Sequence, residues 1–254
     1  MKLFTLRTLV LPVALSLALA ATATPSFAQA TLIHQYLFQG NANDSVGSAH
    51  GTLNNGADAS GGALTLNGID QTVLFGQQIV PTSGSFSVAL FELHSDPQTG
   101  QVIELISQGF SGGPGFYIGR DTGSGVRVSD VWGSTGAIFP SNTTSFHHFA
   151  LTVDTTLDLS SFYIDGTLVA SIVGGIDTTS GGDNTLLGGQ FEGIGEFFAG
   201  QLKDVRIYTG ALSAGEVSTL AASGAASAPE PGTLALLSLG VVGGIVKRRR
   251  QNKA

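Results

Sequence analysis

Between residues 31 and 223 the chain runs through short segments of about four to eight residues rich in β-branched, aromatic and other apolar side chains, each broken off by Gly, Asn, Asp, Ser or Thr. That rhythm belongs to short strands. It predicts strands at 32–38, 63–67, 72–75, 86–93, 102–107, 115–118, 126–131, 148–153, 161–164, 168–172 and 202–208. So many short strands without alternating helices predict an all-β antiparallel sandwich or barrel, not a parallel sheet with crossover helices. Asp165-Gly166, set between two apolar runs, reads as a two-residue hairpin turn. One helix is expected, because Ser213-Ala214-Gly215-Glu216 has the form of a capping box and Val217 and Leu220 follow on one face. Small residues continue over 221–228, with the linker set at 224–227.

The two ends carry addresses. Lys2 and Arg7 precede an apolar stretch at 9–21, and small residues at Ala28 and Ala30 offer cleavage positions, so 1–30 reads as a signal peptide and the mature chain starts at Gln29 or Thr31. At the other end come Pro229-Glu230-Pro231, an apolar helix over 233–246, and the basic cluster Lys247-Arg248-Arg249-Arg250. Fourteen helical residues span about 21 Å against a hydrocarbon core of about 30 Å, short for a permanent anchor. The basic cluster favours the cytoplasmic side and leaves Glu230 outside. These three elements, in this order, resemble the PEP-CTERM sorting signal of exopolysaccharide-producing Gram-negative bacteria. The resemblance implies processing by the membrane transpeptidase exosortase, transient anchoring in the inner membrane through the C-terminal helix, and delivery to the cell surface or extracellular matrix. An ordinary short C-terminal anchor is the alternative.

With both ends set aside, the body has four basic residues, Arg120, Arg127, Lys203 and Arg206, against 17 acidic ones, a formal charge of −13. Such a surface repels phosphate backbones, so nucleic acid is not an expected partner. The absence of cysteine excludes disulfides, thiolate metal sites and a cysteine nucleophile. At 198 residues, positions 31–228 are long enough to bury a core without such staples.

Five stretches resemble, in order, the successive signatures of LamG-like, concanavalin A-like jelly rolls. They are 37–45 around Gly40-Asn41, 61–70 around Leu64-Thr65-Leu66-Asn67, 146–154 around His148-Phe149-Ala150, 162–171 around Asp165-Gly166, and 198–208 around Asp204-Val205-Arg206 before Ala211-Leu212-Ser213. Leu90 and Phe146 depart from the pattern, standing where such domains often carry Trp. The resemblance implies a jelly-roll sandwich at 31–223, and that fold hosts lectins, glucanases and adhesive modules alike. In related jelly rolls an Asp on the last strand binds structural calcium with nearby carbonyls. Carried over, the ligands are Asp204, a carbonyl at Gly62, and Asp44 or a carbonyl beside it, an oxygen-only set suited to Ca2+. Strand alternation places Leu202, Asp204 and Arg206 on one face, and the competing reading is an Asp204–Arg206 surface pair with Asp44 capping its turn.

For catalysis the residues offer little. Glycoside hydrolysis needs two carboxyl groups roughly 5–10 Å apart, and no Glu-x-Asp-x-Glu spacing occurs. Glu92 with Asp96 and Glu192 with Glu196 are interrupted by Pro97 or by glycines. Adjacent His147 and His148 point to opposite faces of a strand and cannot share a metal. Trp132, the single tryptophan, together with Asp130 and Tyr117, is the candidate sugar-binding group, set against the alternative that Trp132 fills the core. The expectation is therefore an exported, noncatalytic module that binds extracellular polysaccharide or matrix. A structural matrix protein without a specific ligand, and a diverged glycan-active enzyme, are the alternatives.

Overall fold

The computed structural model describes residues 29–95, 100–109, 115–141, 144–176 and 184–225. The leader through Ala28 and the sorting signal, including Pro229, Glu230, Pro231 and Lys247 to Arg250, lie outside the described residues.

Strands β1 (Thr31–Tyr36), β2 (Gly51–Asn54), β3 (Leu64–Asn67), β4 (Thr72–Phe75), β5 (Phe86–His94), β6 (Ile103–Gln108) and β7 (Phe116–Arg120) fill the first half. Strands β8 (Gly125–Val128), β9 (Gly133–Ile138), β10 (His147–Asp154), β11 (Leu159–Ile164), β12 (Thr167–Val173), β13 (Thr185–Leu187) and β14 (Ala199–Thr209) fill the second. They form two seven-stranded sheets. One, sheet A, has the order β1-β14-β5-β10-β11-β12 with β3 also on β14; the other, sheet B, has the order β2-β4-β13-β6-β7-β8-β9. All pairings are antiparallel, and the architecture is the expected sandwich.

Alternation explains where the core sits. On β10, Phe149, Leu151 and Val153 enter the cluster between the sheets, while Ala150 joins a second, smaller cluster on the outer face of sheet A. The main cluster is rich in Phe, and Phe149 meets Phe162 edge-on at 5.5 Å and Phe139 at 5.2 Å. The smaller cluster is covered by a helix, α2 (Ala214–Ala225), whose Val217 is fully buried against Tyr163, Tyr208 and Leu212.

The expected capping box closes α2 at its start. Ser213 N–H donates to Glu216 Oε2 at 2.7 Å, and Glu216 N–H donates to Ser213 Oγ at 3.3 Å. The helix then continues through the small residues that read as linker and ends at Ala225. Asp165 and Gly166 turn β11 into β12 with φ of +50° and +78°, the type I′ geometry that matches strand twist. His147 and His148 do diverge: His147 bonds Asp165, and His148 is buried against Phe91 on the outer side.

Two local expectations fail for stated reasons. The segment 126–131 is not one strand, since β8 stops at Val128 and Ser129, with φ of +52°, begins a four-residue helical turn, α1 (Ser129–Trp132). Nor does simple alternation hold along β14. A bulge between Lys203 and Arg206, with Asp204 at φ +49°, returns Val205 and Ile207 to the core beside Leu202 and turns Asp204 away from it.

Candidate functional site

Two of the proposed calcium ligands, Asp44 and Asp204, both bond to Gln35, and their carboxylate oxygens are already engaged. Arg206 donates to both oxygens of Asp204, at 2.8 and 2.7 Å, and Gln35 Nε2 adds a third bond at 2.7 Å. Asp44 Oδ1 accepts from the backbone N–H groups of Gln35, Val46 and Gly47 at 3.0–3.1 Å. Its Oδ2 meets His34 Nδ1 at 2.6 Å and Ala49 N–H at 3.3 Å. Burial alone would favour the neutral acid, yet these donors outweigh it and bring the Asp44 pKa down to about 2. Gly62 occupies an exposed turn with φ of +75°, two residues before Leu64, which pairs with Leu202. A guanidinium and a ring of N–H donors satisfy these carboxylates where a dication would need free lone pairs. The arrangement does not fit Ca2+, and among the described residues no three His, Asp or Glu side chains converge on a metal position. The Asp204–Arg206 pair and the capping role of Asp44 describe the geometry instead.

The aromatic group is also divided. Trp132 is partly buried and packs against the main core, while Tyr117 belongs to neither core cluster and lies on the outer face of sheet B. The side chain of Asp130 is outside the described residues. Tyr117 has another partner, since the Arg127 guanidinium stacks 4.4 Å above its ring centroid.

Around that stack the chain assembles a group that no short motif announces. Cross-strand register places Glu104 on β6, Gly119 on β7 and Arg127 on β8 side by side. Gly119 is needed for the close approach, because a Cβ there would lie 2.1 Å from the Ile103 carbonyl oxygen. Over this face runs the segment from Gln190 to Phe198. It begins with a 3-10 turn at Phe191–Gly193, and it is held by Phe191 against Gly115 and by Phe198, fully buried in the main core. The segment delivers Glu196, at φ +53°, whose carbonyl accepts the Glu104 N–H at 2.9 Å and whose carboxylate pairs with Arg127 at 3.2 Å.

Glu104 is fully buried, and its carboxyl adjoins the Glu196 carboxylate and the Ser107 hydroxyl. Burial first, and then the neighbouring Glu196 carboxylate, push its pKa well above the usual glutamate range and favour the neutral acid. Arg127 and Glu196 are each about one-fifth exposed, at 19% and 24% of their side chains. Together they offer solvent a guanidinium and a carboxylate, held over the Tyr117 ring, which is itself buried.

A concavity of about 590 Å3 lies between the outer face of sheet A and the start of α2. Thr152, Asp154, Ser161, Tyr163, Leu212 and Glu216 line it, and Gln29 and Ala30 form part of its wall.

Residues 67–218 match the family model of the concanavalin A-like lectin/glucanases superfamily, and residues 227–251 match the PEP-CTERM protein-sorting motif. That motif implies export and sorting by exosortase. No curated protein matches the chain. Among solved structures, domain 4 of AbnA, a GH43 extracellular arabinanase from Geobacillus stearothermophilus solved in complex with arabinotriose, is 22% identical. It aligns over 76% of this chain and 100% of that one, with a TM-score of 0.60. The binding domain of botulinum neurotoxin serotype D is 14% identical over 76% of this chain and 52% of its own, with a TM-score of 0.53. A Trypanosoma rangeli sialidase solved with 2,3-difluorosialic acid is 16% identical over 75% of this chain and 32% of its own, with a TM-score of 0.55. The chain thus spans about half of the toxin domain and a third of the sialidase.

Proposed function

Because the chain belongs to the concanavalin A-like lectin/glucanases superfamily, we propose that it is an exported, noncatalytic module that binds extracellular polysaccharide through the outer face of sheet B. The observation that carries this reading is the Arg127–Glu196 pair on the Tyr117 ring, partly exposed and held by three neighbouring strands and a stapled segment. A guanidinium and a carboxylate side by side can donate to and accept from vicinal hydroxyls, and few, rigidly placed polar groups are what saccharide recognition needs. The sorting motif supplies the place, outside the cell or on its surface, where such polymers are met. The arabinotriose complex of a domain with this fold supports a sugar ligand by analogy of architecture.

The test is binding of the secreted protein to the extracellular polysaccharide of the producing bacterium. Arg127→Met and Glu196→Gln are each expected to weaken saturable binding at least about tenfold, the loss of a charge-assisted hydrogen bond, with the melting profile retained. Wild-type protein that is folded and does not bind would leave the structural matrix role as the reading.

A further inference from the structure

The far end of α2 is seated as deliberately as its start. Lys203 Nζ donates to the Gly224 carbonyl at 3.3 Å, where a cation also complements the helix dipole. The same ammonium lies 4.2 Å from the Phe146 ring centroid and 5.2 Å from that of Phe91. A Cβ at Gly224 would fall 1.8 Å from Phe91 Cζ, so this turn of helix rests directly on the ring. Phe91 cannot recede easily, being 4% exposed and backed by the His148 ring at 4.8 Å. Phe91, Phe146 and Lys203 therefore form a socket for one glycine of the helix.

That socket fixes where the chain leaves the domain. Four residues separate Gly224 from Pro229, five steps of chain with a reach of at most about 18 Å. A body of this length has a radius of gyration of about 16 Å. With the socket closed, Pro229-Glu230-Pro231 cannot move farther from its exit point than about the domain's own radius, and a membrane-embedded enzyme must work beneath the domain. Each helical residue that unwinds adds about 2 Å of reach, so releasing the last turn or two of α2 relieves the crowding.

We propose that the Gly224 socket is a brake on removal of the C-terminal sorting segment, and that cleavage by the sorting transpeptidase waits on release of the last turn of α2. The proposal rests on the sorting reading of residues 227–251. It is tested by pulse-chase of the full chain in the producing bacterium, following conversion of the precursor to the shorter product. Lys203→Met, which removes the ammonium from the carbonyl and both rings, is expected to speed conversion several-fold with the domain still folded. A six-residue Gly-Ser insertion between Ala226 and Ser227, which leaves the socket intact and lengthens the tether, is expected to do the same. If the insertion leaves the rate unchanged, crowding is not limiting and the proposal falls. If the insertion accelerates conversion and Lys203→Met, folded, does not, the tether matters but the socket is no brake, and the proposal again falls. A wild-type chain that is never shortened, or one whose shortening survives Glu230→Ala, overturns the sorting reading itself.

Discussion

At the scale of single residues, two carboxyl groups show opposite ways of living inside a sandwich. Asp44 is ionised and saturated with N–H donors, with its pKa lowered to about 2. Its contribution to stability is therefore present above its ordinary value of 3.8 and is lost as pH falls through about 2. Asp44→Asn is expected to cost about 2 kcal/mol at neutral pH, read by denaturant melts, with the difference shrinking as the wild type is acidified. Glu104 is the reverse case, raised by burial and then by Glu196. A raised carboxyl stabilises the fold below the ordinary value of 4.5 and ceases to do so as pH climbs through the folded value. Glu104→Gln, a neutral replacement of the same shape, is expected to melt above the wild type at pH 8 and to lose that advantage toward pH 4. The Asp44 turn could be suspected from Asn43-Asp44-Ser45. The Glu104–Glu196–Arg127 group could not, because its members are brought together by sheet register and a loop crossing, neither of which leaves a local spacing signal.

At the scale of elements, what was legible is what local chemistry decides. The capping box and the Asp165-Gly166 turn stand where the residues place them because each is a short-range bargain between a side chain, or a glycine, and its own backbone. Ser213→Ala is expected to cost about 1 kcal/mol, measured by thermal melting, and to loosen α2 over Val217 without disturbing the core between the sheets. The strands β2, β9 and β13 escaped because Gly-Thr-Leu-Asn, a glycine-bearing six-residue run and Thr-Leu-Leu have too little alternation to announce themselves. They are strands because neighbours supply hydrogen-bond partners. The bulge in β14 defeated the face assignment of Asp204 for the same kind of reason: one residue in a left-handed conformation shifts everything after it, and the sequence pattern averages across the shift.

At the scale of the whole molecule, the charge imbalance of the body has no free cation to soften it. Arg127 and Arg206 are spent on Glu196 and Asp204, Lys203 on the rings of Phe91 and Phe146, and Arg120 is buried over Phe139. Added salt is accordingly expected to raise the melting temperature by screening self-repulsion, and a fall with salt would show that local ion pairs outweigh the global field. The architecture as a class was readable, since many short strands and no alternating helices admit few solutions; the order of strands was not, because it is written in long-range pairings. The most consequential of these is β14, which lies between β1 and β5 and also carries β3. The last strand of the domain to be synthesised is thus the one on which sheet A closes, so a chain ending before Ala199 has no complete sheet A to fold into. Sheet A therefore gains its full set of strand pairings only when the C-terminal end of the domain is present.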